Sequence, residues 1–536
     1  MVEKCIKVTN EIKCPICNIS TSTLNEHMKF CHNKKEFELA IIADKNKGLS
    51  DIEIGEKYCI TYNQLEKIIR RATGLSISIL KNQKEIKSLS PNDFKEETTT
   101  VWSFKSRGNW ATHSGEYRGN WSPYIPRNVI LRYSEPGDIV LDYFVGAGTT
   151  AVEAKLLGRR CIAHDINEKA IELAKKNVDF EVPKNKLLPE KIYEPDLSVM
   201  DARDLSYLKS DSIDLICAHP PYANIIHYTE FKEGDLSYLD TEHFLTEMEK
   251  VAMESYRVLK PGRKCVILIG DMRRHKHVVP LGFNLINVFL NAGFKLKELV
   301  IKRQHNCKTT GFWYANSIKF NFLLLAHEYL PIFEKPLFKP NMIKEQTATY
   351  GLVEPILAIP HLKKDLKEME TTTVWIFPED KFENLLNKNV IERYRDRDHY
   401  RIINLSSCKN DLTENTFSNL NKKFNLLFIK SPCLNNENIT HPYINIYLEK
   451  LKEIVYNASH YIKENGYCVI QTRDVRINDY LEPIAKYIYD SIKLHGFSLK
   501  EIIVTATENH KDKYSEKSQN LQIVHQYLLV YKKLNK

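Results

Sequence analysis

Between residues 137 and 335 short apolar runs alternate with stretches of helical period. "DIVLDYF", "RCIAHDI", "DLSVMDA", "IDLICAH", "KCVILIG", "KLKELVI" and "NFLLLAHEYLPIF" read as strands, and "TTAVEAKLLG", "EKAIELAKKN", "HFLTEMEKVAMESYRVL" and "GFNLINVFLNAG" as helices. Strands that are apolar nearly throughout are covered on both faces, so the alternation predicts a doubly wound α/β sheet.

The pattern then recurs. "TTTVWSF" (98–104) returns as "TTTVWIF" (371–377), "PRNVILRY" (126–133) as "NKNVIERY" (387–394), "YRVLKPGRKCVILIGDMR" (256–273) as "SHYIKENGYCVIQTRDVR" (459–476), and "AGFKLKELVI" (292–301) as "HGFSLKEIIV" (495–504). A series kept in one order predicts two copies of one α/β unit, at 98–335 and 371–536, joined by a linker at 336–370. The second copy is shortened between "NVIERY" and "YRIINLSSC". It is expected to lack the first two strands with their helices, and so any counterpart of the loop that follows the first strand.

Ahead of these units stands "CPICNISTSTLNEHMKFCH". Cys14, Cys17 and His27, with Cys31 or His32 as the fourth ligand, have the spacing of a tetrahedral zinc finger, so residues 1–40 are read as zinc-finger-like around a structural zinc. Residues 41–80 are read as helix-turn-helix-like. Ser50 is the expected N-cap of a helix with Ile52 and Ile54 inward, and Lys67, Arg70 and Arg71 lie on the outer side of the next helix. A plain helical hairpin fits the same pattern. Polar residues 81–97 form a linker.

Composition narrows the setting. A chain of 536 residues, 43% hydrophobic, buries more than one core. A net charge of +9 permits a polyanionic partner without naming one. The 12 cysteines, with no secretory signal at the start, point to thiols or metal ligands in a reducing compartment. No apolar run is long enough to cross a bilayer, so the expected location is cytoplasmic, and the abundance of Lys, Asn and Ile suggests a low-GC prokaryotic genome.

Two motifs carry chemistry. In "VLDYFVGAGTT" a strand runs through Gly146-Ala147-Gly148 into a helix, a turn that lets backbone and helix N-terminus approach a ligand. Asp165 ends the next strand, where a carboxylate can accept from ribose hydroxyls, and Asp201 follows the third as a candidate for an adenine amino group or a simple loop cap. The loop lacks the third glycine and the lysine of a phosphate-binding loop, so a nucleoside without phosphate fits, which points to S-adenosylmethionine. The second motif is His219-Pro220-Pro221-Tyr222, at the carboxyl end of the fourth strand. The prolines stiffen a loop whose carbonyls can hold an amino group, and Tyr222 offers a flat face to a base.

"LDYFVGAGTT" followed by "HPPY" resembles the DNA amino-methyltransferases that modify cytosine at N4 or adenine at N6. The resemblance implies a Rossmann-like class I methyltransferase domain. It places Asp142, Phe144, Gly146, Gly148, Thr149, Thr150, Asp165 and Asp201 around the cofactor, with Asn120 or Tyr124 near its methionine moiety, and His219, Pro220, Pro221 and Tyr222 at the reacting base. It implies a base flipped out of double-stranded DNA, cytosine N4 slightly ahead of adenine N6, and a cognate restriction endonuclease as possible partner. His219 departs from the family, which has Asp, Asn or Ser there. An RNA guanine-amino methyltransferase and a non-catalytic DNA-binding regulator are the alternatives. The second copy, with "SPCL" (Ser431 to Leu434) in place of the motif, is expected to be inactive. Phe312, Trp313 and Tyr314 could support a base or pack the sheet, and the basic run Arg273 to His277 could meet phosphates or solvent.

Overall fold

The computed structural model describes residues 34–47, 49–58, 86–92, 94–115, 119–182, 191–229, 232–305, 311–337, 369–395, 400–405, 423–431, 439–492, 496–508 and 520–534, with isolated residues besides, among them 12–14, 17, 20–21 and 117. At the N-terminus β1 (Ile12–Lys13) pairs with β2 (Ser20–Thr21), ahead of helices Lys34–Asn46 and Asp51–Tyr58. The first of these helices runs across the expected boundary at residue 40. Ser50 caps the second reciprocally with Glu53, whose carboxylate accepts from Ser50 N at 2.7 Å while Ser50 Oγ accepts from Glu53 N at 3.3 Å. Ile54 and Tyr58, four apart, form the buried face with Ile41 and Cys14. Ile52 is 73% exposed rather than inward, because two positions from Ile54 turn it to the far side of the helix. Lys67, Arg70 and Arg71 lie outside the described residues.

Every strand expected in the first copy forms. β3 (Val101–Ser103), β4 (Ile139–Asp142), β5 (Arg160–Asp165), β6 (Asp196–Val199), β7 (Ile213–Ala218) and β8 (Leu259–Ile267) precede the hairpin β9 (Met272–Arg274) and β10 (His277–Val279), then β11 (Lys295–Arg303) and β12 (His327–Glu334). The sheet order is β3-β11-β12-β8-β7-β4-β5-β6, with β12 antiparallel to both neighbours and the other pairs parallel. This is a Rossmann-like sheet. Strand order reverses at β4, with β5 and β6 to one side and β7 and β8 to the other, and that reversal opens a crevice beyond the carboxyl ends. Alternate residues feed the two faces: Val140 and Leu215 join the cluster under helices Tyr124–Tyr133 and Thr149–Leu156, and Leu141 and Ile216 the cluster under Thr241–Val258 and Leu281–Asn291.

The second unit builds β13 (Val374–Phe377), β14 (Tyr400–Asn404), β15 (Phe424–Lys430), β16 (Ile462–Thr472), the hairpin β17 (Val475–Ile477) and β18 (Tyr480–Glu482), β19 (Phe497–Thr507) and β20 (His525–Lys533). Their order, β13-β19-β20-β16-β15-β14, repeats the first six positions of the larger sheet. β14 stands where β4 stands. The first strand is therefore present, contrary to expectation, and among the described residues the strands lacking are the counterparts of β5 and β6.

The units pack face to face and exchange contacts reciprocally. One apolar cluster runs through both, joining Phe244, Leu285 and Phe333 to Leu451, Ile488 and Leu529. Thr99 bridges Gln522 of the second unit, and Thr372 bridges Leu324 of the first. Thr100 Oγ1 lies 2.8 Å from His525 Nδ1, and Thr373 Oγ1 lies 2.9 Å from His327 Nδ1. The repeated "TTTVW" is thus an interface element. Arg273 pairs with Glu501 and Arg476 with Glu298, each at 2.5 Å, and both carboxylates are fully buried. The basic run after β8 is a hairpin whose Arg273 is spent on the other unit, while His275 at its tip is exposed. No helix among the described residues is long and apolar enough to cross a membrane.

Candidate active site

β4 ends at Asp142, and the chain turns through Gly146 (φ 52°) and Gly148 (φ 88°) into helix Thr149–Leu156. Side chains rarely adopt such φ, and space is tight as well: a Cβ on Gly146 would stand 3.0 Å from the Tyr117 ring, and one on Gly148 would stand 3.1 Å from Ala174 Cβ. The first glycine lets an aromatic cover the loop. The second lets two helices close together.

A cavity at this turn is lined by Tyr117, Phe144, Gly146, Asp165, Asp201 and Asp235, among others. Asp165 accepts from the backbone N–H groups of Gly146 and Asn167, each at 2.9 Å, and burial raises its carboxyl to about 6. Asp201 is gripped by the Arg203 guanidinium at 2.6 Å and accepts from Arg203 N at 2.9 Å, so it caps its own loop while forming part of the wall. Asp142 sits behind the turn, accepting from Phe144 N at 2.9 Å, and burial raises it to about 7. Thr150 is buried in the first helical turn, and Thr149 Oγ1 donates to Asn120 Oδ1 at 2.5 Å. Asp235, held by Thr229 and Ser237, is a wall residue that sequence reasoning missed. Among the described residues the lining contains three aspartates and neither lysine nor arginine.

A second cavity, lined by Phe104, Arg107, Pro220, Tyr222, Lys302 and Glu328 among others, adjoins the first. Gly119, Asn120, Trp121, His219 and Tyr228 line both. His219 thus stands at the junction, with Pro221 toward the first cavity and Pro220 and Tyr222 toward the second. Trp121 stacks on its imidazole with centroids 5.4 Å apart. His219 Nε2 lies 2.9 Å from Tyr222 Oη, which donates to Glu328 Oε1 at 2.9 Å, and Lys302 Nζ donates to Glu328 Oε2 at 2.7 Å. Burial pushes the imidazole down to about 4, so the ring is neutral at physiological pH.

Residues 104–123 bring Tyr117, Asn120 and Trp121 over these cavities, and a buried carboxylate fastens them. Glu153, on the helix after the glycine turn, accepts from Trp110 Nε1 at 2.6 Å and pairs with His113 at 2.7 Å and Arg127 at 2.9 Å. Arg107 donates to the carbonyls of Asn120 and Trp121 at 2.7 and 2.6 Å. Asn120 lines both cavities. Tyr124 lines neither: it opens helix Tyr124–Tyr133 and packs between Phe104, Phe94 and Trp110, so its ring braces the base of the loop.

In the second unit the strand register shifts one assignment. Cys217 pairs with Val266 and Phe428 with the equivalent Val469, so Lys430, not Ser431, stands opposite His219. Cys14 is buried at the end of β1 and Cys17 is exposed, whereas His27, Cys31 and His32 lie outside the described residues. No cluster of three metal-ligating side chains occurs among the described residues. The side chains of Phe312 and Trp313 also lie outside them.

The chain matches the DNA methylase family over residues 1–176 and 213–442. It is 34% identical over 90 residues to the type II methyltransferase M2.DpnII of Streptococcus pneumoniae, covering 17% of this chain and 33% of that one. It is 29% identical over 166 residues to a tRNA (guanine(10)-N2)-dimethyltransferase of Methanothermobacter thermautotrophicus, covering 29% and 44%. A putative DNA modification methylase from Thermus thermophilus, solved with S-adenosyl-L-methionine, is 25% identical over 27% of this chain and 55% of that chain, with a TM-score of 0.20. The chain spans about a third of the length of the type II relatives it matches.

Proposed function

Because this chain belongs to the DNA methylase family, we propose that its first unit transfers a methyl group from S-adenosylmethionine to an exocyclic amino group, cytosine N4 or adenine N6, of a base in double-stranded DNA. The observation that carries this reading is the meeting of the two cavities at His219.

The first cavity fits the cofactor by its donor set. Asp165 and Asp235, with Asp201 held by the Arg203 guanidinium beside them, suit ribose hydroxyls and an ammonium. In this reading Asp165 accepts from the ribose, Asp201 faces the adenine end and Phe144 covers it. When bound, S-adenosylmethionine supplies an electrophilic methyl. The chain's own contribution is orientation: His219, as a neutral acceptor, holds the amino group with its lone pair directed away from the ring plane, and the Pro-Pro loop keeps that acceptor in place without an ordering cost. The second cavity, of about 440 Å³, has room for a base turned out of the helix, and Lys105 and Arg303 on its wall suit the flanking phosphates.

We read the second unit as a degenerate copy that binds no cofactor and completes the core of the first. Calorimetry should therefore count one cofactor per chain, and two would overturn this. A structural zinc held by Cys14, Cys17, His27 and Cys31 or His32 belongs to the same reading, and metal analysis of the purified chain tests it. Modification within a restriction system is the setting that its type II relatives suggest. The direct experiment gives the protein labelled cofactor with duplex DNA or tRNA and identifies the methylated nucleoside by mass spectrometry. Label in N4-methylcytosine or N6-methyladenine supports the proposal; label in tRNA guanine alone replaces DNA with RNA as substrate.

A further inference from the structure

Four polar side chains from three strand ends form one line behind the reacting position. Lys302 on β11 and Glu328 on β12 are cross-strand partners, and neither belongs to the Pro-Pro-Tyr motif. A phenol has one proton, and Tyr222 gives it to Glu328. The Tyr222 oxygen must then accept from His219, which requires the proton of the imidazole to sit on Nε2. Nδ1 is left with the lone pair, and it takes no hydrogen bond among the described residues.

We propose that Glu328, anchored by Lys302, fixes the tautomer of His219 through Tyr222, so that Nδ1 receives the proton released by the target amino group; this rests on the methyl-transfer reading above. As the nitrogen–methyl bond forms and the sulfur–methyl bond breaks, the amino nitrogen sheds one proton. That proton passes to Nδ1. The imidazolium formed keeps its Nε2–H on Tyr222, faces the Glu328 charge two bonds behind, and stacks under the electron-rich face of Trp121. The charges facing the ring are Glu328, which favours the imidazolium, and Lys302 and Arg107, which oppose it. His219 is the catalytic residue here, and Tyr222, Glu328 and Lys302 position it.

The second unit provides the comparison. Its register puts Lys430 at the place of His219, Gln526 at that of Glu328 and Thr505 at that of Lys302, while Cys433 follows in sequence where Tyr222 would be. Gln526 there pairs with Gln471 at 2.7 Å. The residues that clasp the units, Arg273 and Arg476, Glu298 and Glu501, persist in both copies. What is lost from the copy without a glycine loop is the whole line, which is expected of a chemical device and not of a packing one.

The tautomer is read directly in protein labelled with ¹⁵N-histidine, the His219 signals being those missing from H219A. A neutral ring protonated at Nε2 supports the proposal, and one protonated at Nδ1 overturns it. In E328Q and in Y222F, kcat should fall roughly 100-fold while KM for DNA stays within about 2-fold, and the double variant should lose no more than either single one. E328Q should also move the acid limb of the rate profile to lower pH, since the charge that favours the imidazolium is gone. Unchanged kcat in both single variants, or losses that add, would refute the relay. Y222F leaves the Lys302–Glu328 pair intact, so it serves if E328Q folds poorly. If the wild-type chain methylates neither DNA nor RNA, the methyl-transfer reading falls, and the tautomer measurement still decides the relay.

Discussion

At the level of single residues, the depressed pKa of His219 sets the pH response. An isolated imidazole near 6.5 would switch an acceptor off in mildly acidic solution, whereas burial here moves that change to about 4. kcat/KM is expected to stay level from neutral pH down through the ordinary imidazole range and to fall only toward about 4; an acid limb centred near 6.5 would show a solvated ring. Stability follows the same sign. The unfolded chain takes up this proton more readily, so the His219 contribution is present above the unfolded value, erodes as pH falls through it, and is fully lost below about 4. "HPPY" and "GAG" were legible because their spacing lies within a few residues. Lys302 and Glu328 were not, since 25 residues separate them and only the antiparallel register of β11 and β12 makes them partners. One signal was available: "HEYL" (327–330) and "HQYL" (525–528) differ only at Glu328, the one position of the four where a charge is lost.

Among elements, the covering segment 104–123 depends on a charge inside a helix. Glu153 reads in sequence as one more polar residue of "TTAVEAK", yet it is fully buried and answers His113, Arg127 and Trp110 together. Truncating one member of a buried ionic cluster strands the others, typically at about 3–5 kcal/mol. E153A should lower the urea midpoint accordingly and weaken cofactor binding more than E172A, an exposed change on the neighbouring helix. Equal affinities would mean that the segment holds its place without the carboxylate. Tyr124 was misjudged for the same reason that Glu153 was overlooked: the block that precedes the glycine turn is visible as a unit, but which of its aromatics face a cavity is decided by the helix it docks on.

For the whole molecule, the repeat was plain in the order of its motifs, while its packing was hidden. Apolar periodicity marks which faces are buried, not against what, and a basic hairpin looks solvated until its partner carboxylate arrives from 228 positions away. Glu501 and Glu298 have no water to fall back on. R273A should destabilise by about 3–5 kcal/mol, with cooperative loss of both units in thermal unfolding, and the exchanged pair R273E/E501R should recover part of that loss. Two separate transitions in the wild-type chain would contradict a shared core.

The clasp also bears on concentration. Partners that associate from solution separate when diluted below their dissociation constant, but here both halves are joined through one backbone and present each other at a fixed ratio. Activity per molecule should therefore be the same at the few copies that a single genome needs as in a concentrated preparation, and assays across a thousandfold dilution should give one straight line through the origin.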